Sequence, residues 1–139
     1  MKSAKHFNSD IVINTLEVFS KGTGLLAAIE KEKDTIWPIE RVFFISNELP
    51  EKRGSHAHKT CKQLFVCISG QIEIRCHDGK SSMIFTFLGL GKTLFVPPGI
   101  WVDIEMASNA SLGVITDQKY TESDYIRDWD EFLIFRGTA

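Results

Sequence analysis

The sequence predicts an all-β sandwich or barrel with one short helical segment near the C-terminus. Two observations carry this prediction. Short stretches rich in β-branched and aromatic residues recur along the chain, and turn signals such as Asp78-Gly79 and Pro97-Pro98-Gly99 separate them at short intervals. Helical features occur only in the tail, within residues 123–135.

The first half of the chain contains three predicted strands. Residues 11–19 alternate imperfectly between apolar and polar side chains, residues 25–30 form a short strand, and residues 41–46 have the β-branched and aromatic content of a buried strand. The composition of residues 21–24 predicts a turn. Residues 47–54 are predicted to form a polar loop.

In the second half, residues 63–70 predict a buried strand. Residues 71–77 alternate isoleucine with polar residues, which predicts a half-exposed strand ending at the Asp78-Gly79 hairpin. Four further strands are predicted at 83–87, 93–96, 101–105 and 112–116. In the tail, Ser123 is predicted to cap a helical segment, with Asp124 in its first turn.

Length and composition indicate one soluble domain spanning residues 1–139. The net charge of −2 gives no electrostatic case for binding nucleic acid or an anionic membrane. No apolar run is long enough to span a bilayer, and the first ten residues lack the apolar core of a signal peptide. Cys61, Cys67 and Cys76 are an odd set without a CxxC pair, so we expect reduced thiols in a cytoplasmic protein.

The stretch Arg53–Lys59, RGSHAHK, is the most distinctive part of the sequence. It places His56 and His58 two residues apart, so on an extended strand both imidazoles point to the same face. Such a pair either lies on a surface strand or is hydrogen-bonded in a core, or it forms a metal site or a general acid/base pair inside a barrel.

The spacing around this pair resembles the two motifs of the cupin superfamily, HxH-x4-E-x6-G and G-x5-PxG-x2-H. The residues at those spacings are His56, His58, Gln63 and Gly70 for the first motif, and Gly91, Pro97, Gly99 and Val102 for the second. The resemblance implies the cupin double-stranded β-helix, a jelly-roll barrel.

Two of the four metal-ligand positions of this motif differ from those of metal-binding cupins. Gln63 stands in place of a glutamate and Val102 in place of a histidine. Valine has no electron pair to donate, and a neutral amide is a poor replacement for a carboxylate. We therefore expect no metal and no other cofactor, which leaves proton transfer as the natural role of the histidine pair.

A larger set of segments resembles the sugar-nucleotide 3,4-ketoisomerases of this superfamily. The set consists of residues 41–45, the RGSHAHK stretch, Gly70, residues 98–101 and residues 121–132. The resemblance implies conversion of dTDP-4-keto-6-deoxyglucose to its 3-keto isomer, without a metal, in deoxysugar synthesis for surface glycans such as lipopolysaccharide O-antigen. It also implies a homodimer in which the N-terminal strand, here residues 11–19, is exchanged.

This reaction takes a proton from C3 of the sugar and delivers one to C4 through an enediol, work for which a neutral histidine is suited at pH 7. The resemblance assigns His56 as the principal base and His58 as its partner. Arg41 and Arg53 are candidates for binding the diphosphate, because a guanidinium makes bidentate contacts to phosphate oxygens. The alternative for each is a surface salt bridge. Further candidate substrate contacts are Glu30, Phe43, Lys59, Gln63 and Trp101.

Some of these candidates have a structural alternative, and some positions depart from the family pattern. The alternative for Phe43, Gln63 and Trp101 is a place in the core, which is the more common role of a tryptophan such as Trp101. Family members often carry tyrosine at Phe43, an aromatic residue near Thr23 and a histidine at Val102. Phenylalanine and valine cannot hydrogen-bond a sugar. Two other functions therefore stay open: a cupin that binds a sugar nucleotide without turnover, and a sugar-nucleotide epimerase.

Overall fold

The computed structural model describes residues 6–35 and 37–138, in which twelve β-strands precede one α-helix. The all-β prediction with a short C-terminal helix is therefore confirmed. The elements are β1 (Val12–Thr15), β2 (Val18–Lys21), β3 (Gly24–Ala27), β4 (Arg41–Ser46), β5 (Glu51–His58), β6 (Gln63–Ser69), β7 (Gln71–His77), β8 (Ser82–Leu88), β9 (Lys92–Val96), β10 (Trp101–Met106), β11 (Ser111–Thr116), β12 (Tyr125–Ile126) and α1 (Trp129–Arg136). Among these residues, no helix has the length and apolar character needed to cross a membrane.

Ten of the strands form two five-stranded antiparallel sheets. The order in the first sheet is β1-β9-β6-β11-β4, and in the second it is β12-β5-β10-β7-β8. The remaining two strands, β2 and β3, form a separate hairpin. Strands that are neighbours in space are often distant in sequence, as expected for a jelly roll.

The main core lies between the two sheets. Both contribute fully buried side chains to it, for example Leu94 and Leu112 from the first sheet and Ile72 and Ile74 from the second. Alternate residues of β7 are buried, which matches the predicted half-exposed strand. Within the described strands, no hydrogen-bonded ladder joins the two sheets, so the jelly roll is held together by this apolar layer.

Two predicted boundaries were wrong because strand pairing overrode local composition. The predicted polar loop ends early: Glu51–Gly54 belongs to β5, where it pairs with β10. The predicted strand over residues 11–19 is two strands, since β1 pairs with β9 of its own chain whereas β2 pairs with β3. Leu16, between them, is buried in a second apolar cluster.

A β-bulge interrupts β5 just before the histidine pair. Val102 pairs with His56 and Asp103 with Gly54, so Ser55 is the extra residue. Gly54 and Ser55 both have positive φ angles, +90° and +56°. A bulge changes which face the following side chains use, and here it sets the direction of the two imidazoles.

The tail was predicted correctly as partly helical but with the wrong cap. The N-cap of α1 is Asp128, whose carboxylate accepts a hydrogen bond from the Glu131 backbone N–H at 3.0 Å. Ser123 lies instead in a 3₁₀ turn over Glu122–Asp124. Strand β12 then pairs with β5, which brings the tail alongside the histidines.

Candidate active site

His56 and His58 lie at the end of β5 with their rings side by side. The ring centroids are 5.3 Å apart and the planes are nearly perpendicular, at 89°. His56 is paired with Val102, which belongs to the core between the sheets. Only 6% of the His58 surface is exposed. The two imidazoles therefore face the interior of the jelly roll, as the alternation of the strand predicted.

Gly54 makes this placement possible. A Cβ added at this residue would lie 2.6 Å from the Val102 carbonyl oxygen, closer than any real contact. Only glycine combines this close approach with a φ of +90°. The conformation of the bulge, and with it the position of His56, thus depends on a residue without a side chain.

Asp124 holds the second histidine in one tautomer. Its Oδ2 lies 3.0 Å from His58 Nδ1 and also accepts from the Cys61 backbone N–H, at 3.2 Å. Its Oδ1 accepts from the backbone N–H and the hydroxyl of Thr60. Because a carboxylate only accepts, we assign the proton to Nδ1 of His58, which leaves a lone pair on Nε2.

The free ring nitrogens of both histidines lack partners. His58 Nε2 and His56 Nδ1 are buried and make no hydrogen bond with the protein. Burying an unsatisfied polar atom costs about 1–3 kcal/mol, and such atoms in native proteins require an explanation. A ligand that supplies hydroxyl and carbonyl groups would satisfy both nitrogens.

Residues of the tail form a wall beside the imidazoles. The Tyr125 ring is 5.0 Å from that of His56 and 4.3 Å from that of His58. The Arg127 guanidinium stacks on Tyr125 at 4.3 Å and is held by Glu122 through two hydrogen bonds, of 2.7 and 3.0 Å. Tyr120 also donates a hydrogen bond to Glu122.

These tail residues were not predicted as site residues from the sequence. The available signal was the resemblance of residues 121–132, which identified the segment without assigning a role to any side chain. Asp124 was predicted to lie in the first turn of a helix, where the helix dipole favours a carboxylate. It is instead buried against His58, because the segment turns and pairs with β5.

Burial keeps both imidazoles neutral at pH 7. Burial, with a smaller contribution from the neighbouring His58, lowers the pKa of His56 from 6.5 to about 4. Burial also lowers the pKa of His58, although the hydrogen bond and charge of Asp124 oppose this effect. The positive charge of Arg127 acts in the same direction as burial on both rings.

Three predicted substrate contacts lie near the pair. The Arg41 guanidinium is 4.4 Å from the Phe43 ring and 5.2 Å from the Tyr120 ring. Arg41 and Gln63 line, together with His58, a cavity of about 10 Å³, which is room for one water molecule. No carboxylate of the described residues lies within 4 Å of Arg41, so its charge is available to an anionic ligand.

Trp101 lies on the opposite face of the second sheet. Its ring packs against Trp129 and Phe132 at 5.3 and 5.4 Å, in an apolar cluster that includes Ala57. This arrangement corresponds to the structural alternative considered for Trp101, because Ala57 alternates with the two histidines along β5. A substrate contact of Trp101 stays a prediction without support from these contacts.

The contacts of the remaining three candidates, Arg53, Glu30 and Lys59, do not place their side chains beside the imidazoles. Arg53 forms an exposed ion pair with Glu51 at 3.2 Å. Glu30 is exposed in the loop after β3. The backbone N–H of Lys59 donates to the Asp124 carbonyl, which ties the tail to the end of β5. Substrate contacts of all three side chains stay predictions.

The cupin metal positions do not fit a metal ion. Val102 is packed in the core and offers no donor atom. A second group, His58, Cys61 and Asp124, has possible ligand atoms within 4.8 Å of one another. Both carboxylate oxygens of Asp124 are already engaged, and burial raises the pKa of the Cys61 thiol to about 12. This group is better described as a hydrogen-bonded Asp–His pair.

A larger surface concavity, of about 500 Å³, lies at the other end of β5. It is lined by Glu51, Lys52 and residues of β7 and β10, and it contains no histidine. Because Glu51 and His58 are seven positions apart on an extended strand, the two ends are about 23 Å apart. The concavity is therefore not continuous with the imidazole pair.

The lowered pKa of His56 makes the folded protein less stable in acid. Between pH 6.5 and 4 the unfolded chain binds a proton that folded His56 does not, so the free energy of unfolding falls as the pH falls. At 1.36 kcal/mol per pH unit the loss reaches about 3 kcal/mol. We expect the free energy of unfolding, measured by urea denaturation, to decline between pH 7 and pH 4.5. The decline should be about 2 kcal/mol smaller for His56→Asn than for the wild type. Equal declines would contradict this account.

Comparison with known proteins places these features in a family. The family model described as FdtA: WxcM-like, C-terminal matches residues 9–137. The chain is 33% identical over 123 residues to the TDP-4-oxo-6-deoxy-alpha-D-glucose-3,4-oxoisomerase of Aneurinibacillus thermoaerophilus. The aligned region covers 87% of this chain and 88% of that protein.

Solved structures share the fold over nearly the whole chain. A 3,4-ketoisomerase from Helicobacter canadensis superposes with a TM-score of 0.86 at 30% identity, covering 92% of this chain and 98% of that one. A TDP-quinovose 3,4-ketoisomerase from Campylobacter jejuni gives 0.83 at 30% identity, with 91% and 98% covered.

Proposed function

This chain belongs to the FdtA, WxcM-like C-terminal family, and we propose that it is a sugar-nucleotide 3,4-ketoisomerase acting on a dTDP-linked 4-keto-6-deoxyhexose. The substrate proposed is dTDP-4-keto-6-deoxyglucose, the compound that the 33%-identical relative is named for. The product carries the carbonyl at C3.

One observation in the structure supports this proposal above the others. Two neutral imidazoles lie 5.3 Å apart in the interior, and each has a buried nitrogen without a partner. C3, C4 and their two oxygens are neighbours in a hexose, so a sugar bound beside the two rings would present its reacting hydrogens to both of them. The arrangement therefore suits a reaction that moves protons between neighbouring atoms.

In the proposed reaction His56 removes the C3 proton, which the C4 ketone acidifies. An enediolate forms, and the imidazolium of His56 then protonates C4. A histidine with a pKa of about 4 is by itself a weak base. The negative charge that develops on the enediolate favours the imidazolium and offsets this weakness.

The cation of Arg41 supports binding of the diphosphate. It lies beside Phe43 and Tyr120, near the histidines but without a carboxylate partner among the described residues. A guanidinium in this position can make bidentate contacts to phosphate oxygens. Arg53 and Lys59 are proposed as secondary contacts that a bound substrate would have to recruit.

The decisive experiment is incubation of the protein with a panel of nucleotide-linked 4-keto sugars, followed by NMR of the products. A 3-keto product from a dTDP-linked 4-keto-6-deoxyhexose supports the proposal. Binding without turnover would identify a sugar-nucleotide-binding protein instead. Inversion of a carbon centre with the ketone retained at C4 would identify an epimerase.

We also propose a homodimer, for which an exposed apolar surface provides support. Phe44, Val42 and Ile68 on the outer face of the first sheet and Leu25 and Leu26 of the β2–β3 hairpin are exposed, Phe44 by 71%. These side chains border an apolar groove of about 460 Å³. Isolated apolar residues are common at surfaces, but a contiguous patch of this kind marks an interaction site.

Replacing Phe44 with glutamate should convert the dimer to a monomer. A charge in the centre of an apolar interface loses its hydration without gaining a partner. Light scattering at micromolar concentration should then give a mass near 15.7 kDa for the variant and twice that mass for the wild type. Leu88→Glu is the matched control, since Leu88 is 81% exposed on β8 of the other sheet.

A Phe44→Glu variant that keeps the wild-type mass would place the interface elsewhere. A measured mass of 15.7 kDa for the wild type would contradict the proposed homodimer. Because β1 pairs within its own chain, deleting the N-terminus would damage the sheet, which makes a point substitution the cleaner test. Exchange of the N-terminal strand stays a prediction.

We place the proposed reaction in cytoplasmic deoxysugar synthesis for surface glycans, such as lipopolysaccharide O-antigen. The three cysteines are unpaired and buried, which suits a reducing compartment. The glycan itself rests on the family resemblance.

A further inference from the structure

We propose that Asp103 is a positioning residue for His56, which it serves from the outer face of the second sheet by holding Ser55, the extra residue of the β5 bulge, in a strained conformation. This inference rests on the proposed function, because a displaced His56 is detected as lost turnover. It gives a task to a carboxylate that shares its face of β10 with Trp101 rather than with the core residue Val102.

Ser55 has a backbone conformation that its side chain disfavours. Its φ is +56°, in the left-handed region where a Cβ crowds the following carbonyl oxygen. Of the three non-glycine residues with a positive φ in the described part of the chain, Glu32 and Asn109 lie in turns and Ser55 alone lies within a strand. Strained residues persist only where their surroundings hold them, and they cluster at functional sites. What holds Ser55 therefore also determines where the next residue, His56, lies.

A short hydrogen bond from the neighbouring strand holds Ser55. Its hydroxyl donates to Asp103 Oδ1 at 2.7 Å, and a bond to a carboxylate is stronger than one between neutral groups. As the extra residue of the bulge, Ser55 has no partner in the ladder between β5 and β10. The side-chain bond to Asp103 thus ties the unpaired residue to β10 at the point where the register shifts.

The other oxygen of Asp103 is anchored in the aromatic cluster of the tail. Its Oδ2 accepts from Trp101 Nε1 at 3.2 Å. The Trp101 side chain is buried, and its ring packs against Trp129 and Phe132 at 5.3 and 5.4 Å. Because both carboxylate oxygens are engaged, the orientation of Asp103 is fixed. The carboxylate therefore connects a rigid aromatic cluster to the strained bulge.

The bulge and the proposed diphosphate contact belong to different sheets. Arg41 and Phe43 lie on β4 of the first sheet, and within the described strands no hydrogen-bonded ladder joins the two sheets. A shift of the β5 bulge should therefore move His56 without moving Arg41. Since a misplacement of about 1 Å can cost about 100-fold in rate, loss of the Ser55–Asp103 bond should lower kcat and leave nucleotide affinity unchanged.

The sharpest test is a pair of substitutions at Ser55. Ser55→Ala removes the hydroxyl but keeps the Cβ that disfavours a positive φ, so kcat should fall about 10- to 100-fold. Ser55→Gly also removes the hydroxyl, but glycine adopts a positive φ readily, so this variant should keep most of the activity. Titration calorimetry should give both variants the wild-type affinity for TDP.

Both Ser55 variants keep the charge of Asp103, which separates position from electrostatics. Burial lowers the pKa of His56 and the charge of Asp103 opposes this effect, so removing the carboxylate changes the charge as well as the hydrogen bond. The Ser55 pair therefore decides the question by itself, and it does so even if a variant without Asp103 does not fold.

Asp103→Ala extends the test to the carboxylate. In the wild-type background it should lower kcat as Ser55→Ala does, whereas in the Ser55→Gly background it should cost less, because glycine does not need the bond. Glu105→Ala is the matched control. Glu105 is a carboxylate two residues further along β10 that pairs with Lys52 of β5 at 3.6 Å and does not contact the bulge residue, so kcat should be unchanged.

Three kinetic results would overturn the proposal. They are wild-type kcat in Ser55→Ala, an equal loss in Ser55→Gly, and an equal cost of Asp103→Ala in both backgrounds. NMR without substrate distinguishes this failure from failure of the proposed function. The NOE between the amide and Hα hydrogens of residue 55, which is strong at a positive φ, should weaken in Ser55→Ala, and the His56 ring resonances should shift.

A wild type that turns over no 4-keto sugar nucleotide would overturn the proposed function. The positioning of His56 by Asp103 would then stand if the NOE and the ring resonances change in Ser55→Ala and Asp103→Ala but not in Glu105→Ala. Spectra that match the wild type in the first two variants would overturn it.

Discussion

Replacement of His56 with asparagine should lower the turnover of a 4-keto sugar nucleotide by about 10²- to 10⁴-fold. The amide keeps a polar side chain of similar size beside Val102 but has no nitrogen that accepts a proton at neutral pH. The variant should fold, because the amide is nearly isosteric with the part of the imidazole next to Cβ and introduces no charge. Steady-state kinetics with NMR detection of the product measure the effect.

The route of the carbon proton provides the control for this prediction. An imidazole that exchanges its proton with solvent should place deuterium at C4 when the wild-type reaction runs in D₂O. His58→Asn should cost less than His56→Asn if His58 only orients the substrate or reprotonates it. Near wild-type turnover in His56→Asn, or a product without deuterium at C4, would remove His56 from the mechanism.

Gly54→Ala should destabilise the fold by at least about 2 kcal/mol and reduce activity in the protein that remains folded. A Cβ would meet the Val102 carbonyl oxygen at 2.6 Å and the Asp103 Cα at 3.3 Å, and the residue has a φ of +90°. Relief of this overlap must move the backbone of the bulge two residues before His56. Urea denaturation gives the stability, and kcat reports the displacement of the base.

Gly89→Ala is the control for Gly54→Ala, because it separates the effect of a Cβ overlap from the effect of a positive φ. Gly89 also has a positive φ, +65°, but a Cβ there would have no heavy atom within 4 Å. Its replacement should cost about 1 kcal/mol and leave kcat unchanged. Equal effects of the two substitutions would mean that the contact with Val102 does not matter.

The sequence alone was sufficient for the fold and for half of the candidate site. Strand alternation predicted that His56 and His58 share a face, and β5 places both rings towards the interior. The resemblance to the cupin motifs implied the jelly roll. The strand and turn predictions rest on local patterns, because side-chain alternation and turn residues act within a few positions of the chain.

Only the tertiary structure could determine the surroundings of the imidazoles. Asp124 is 66 residues from His58, and its role arises because a short strand of the tail pairs with β5. Trp101 faces the helix because it lies on the other side of β10 from Val102. Hydrogen bonding between strands distant in sequence decides such contacts, and no local pattern of residues encodes which strands will meet.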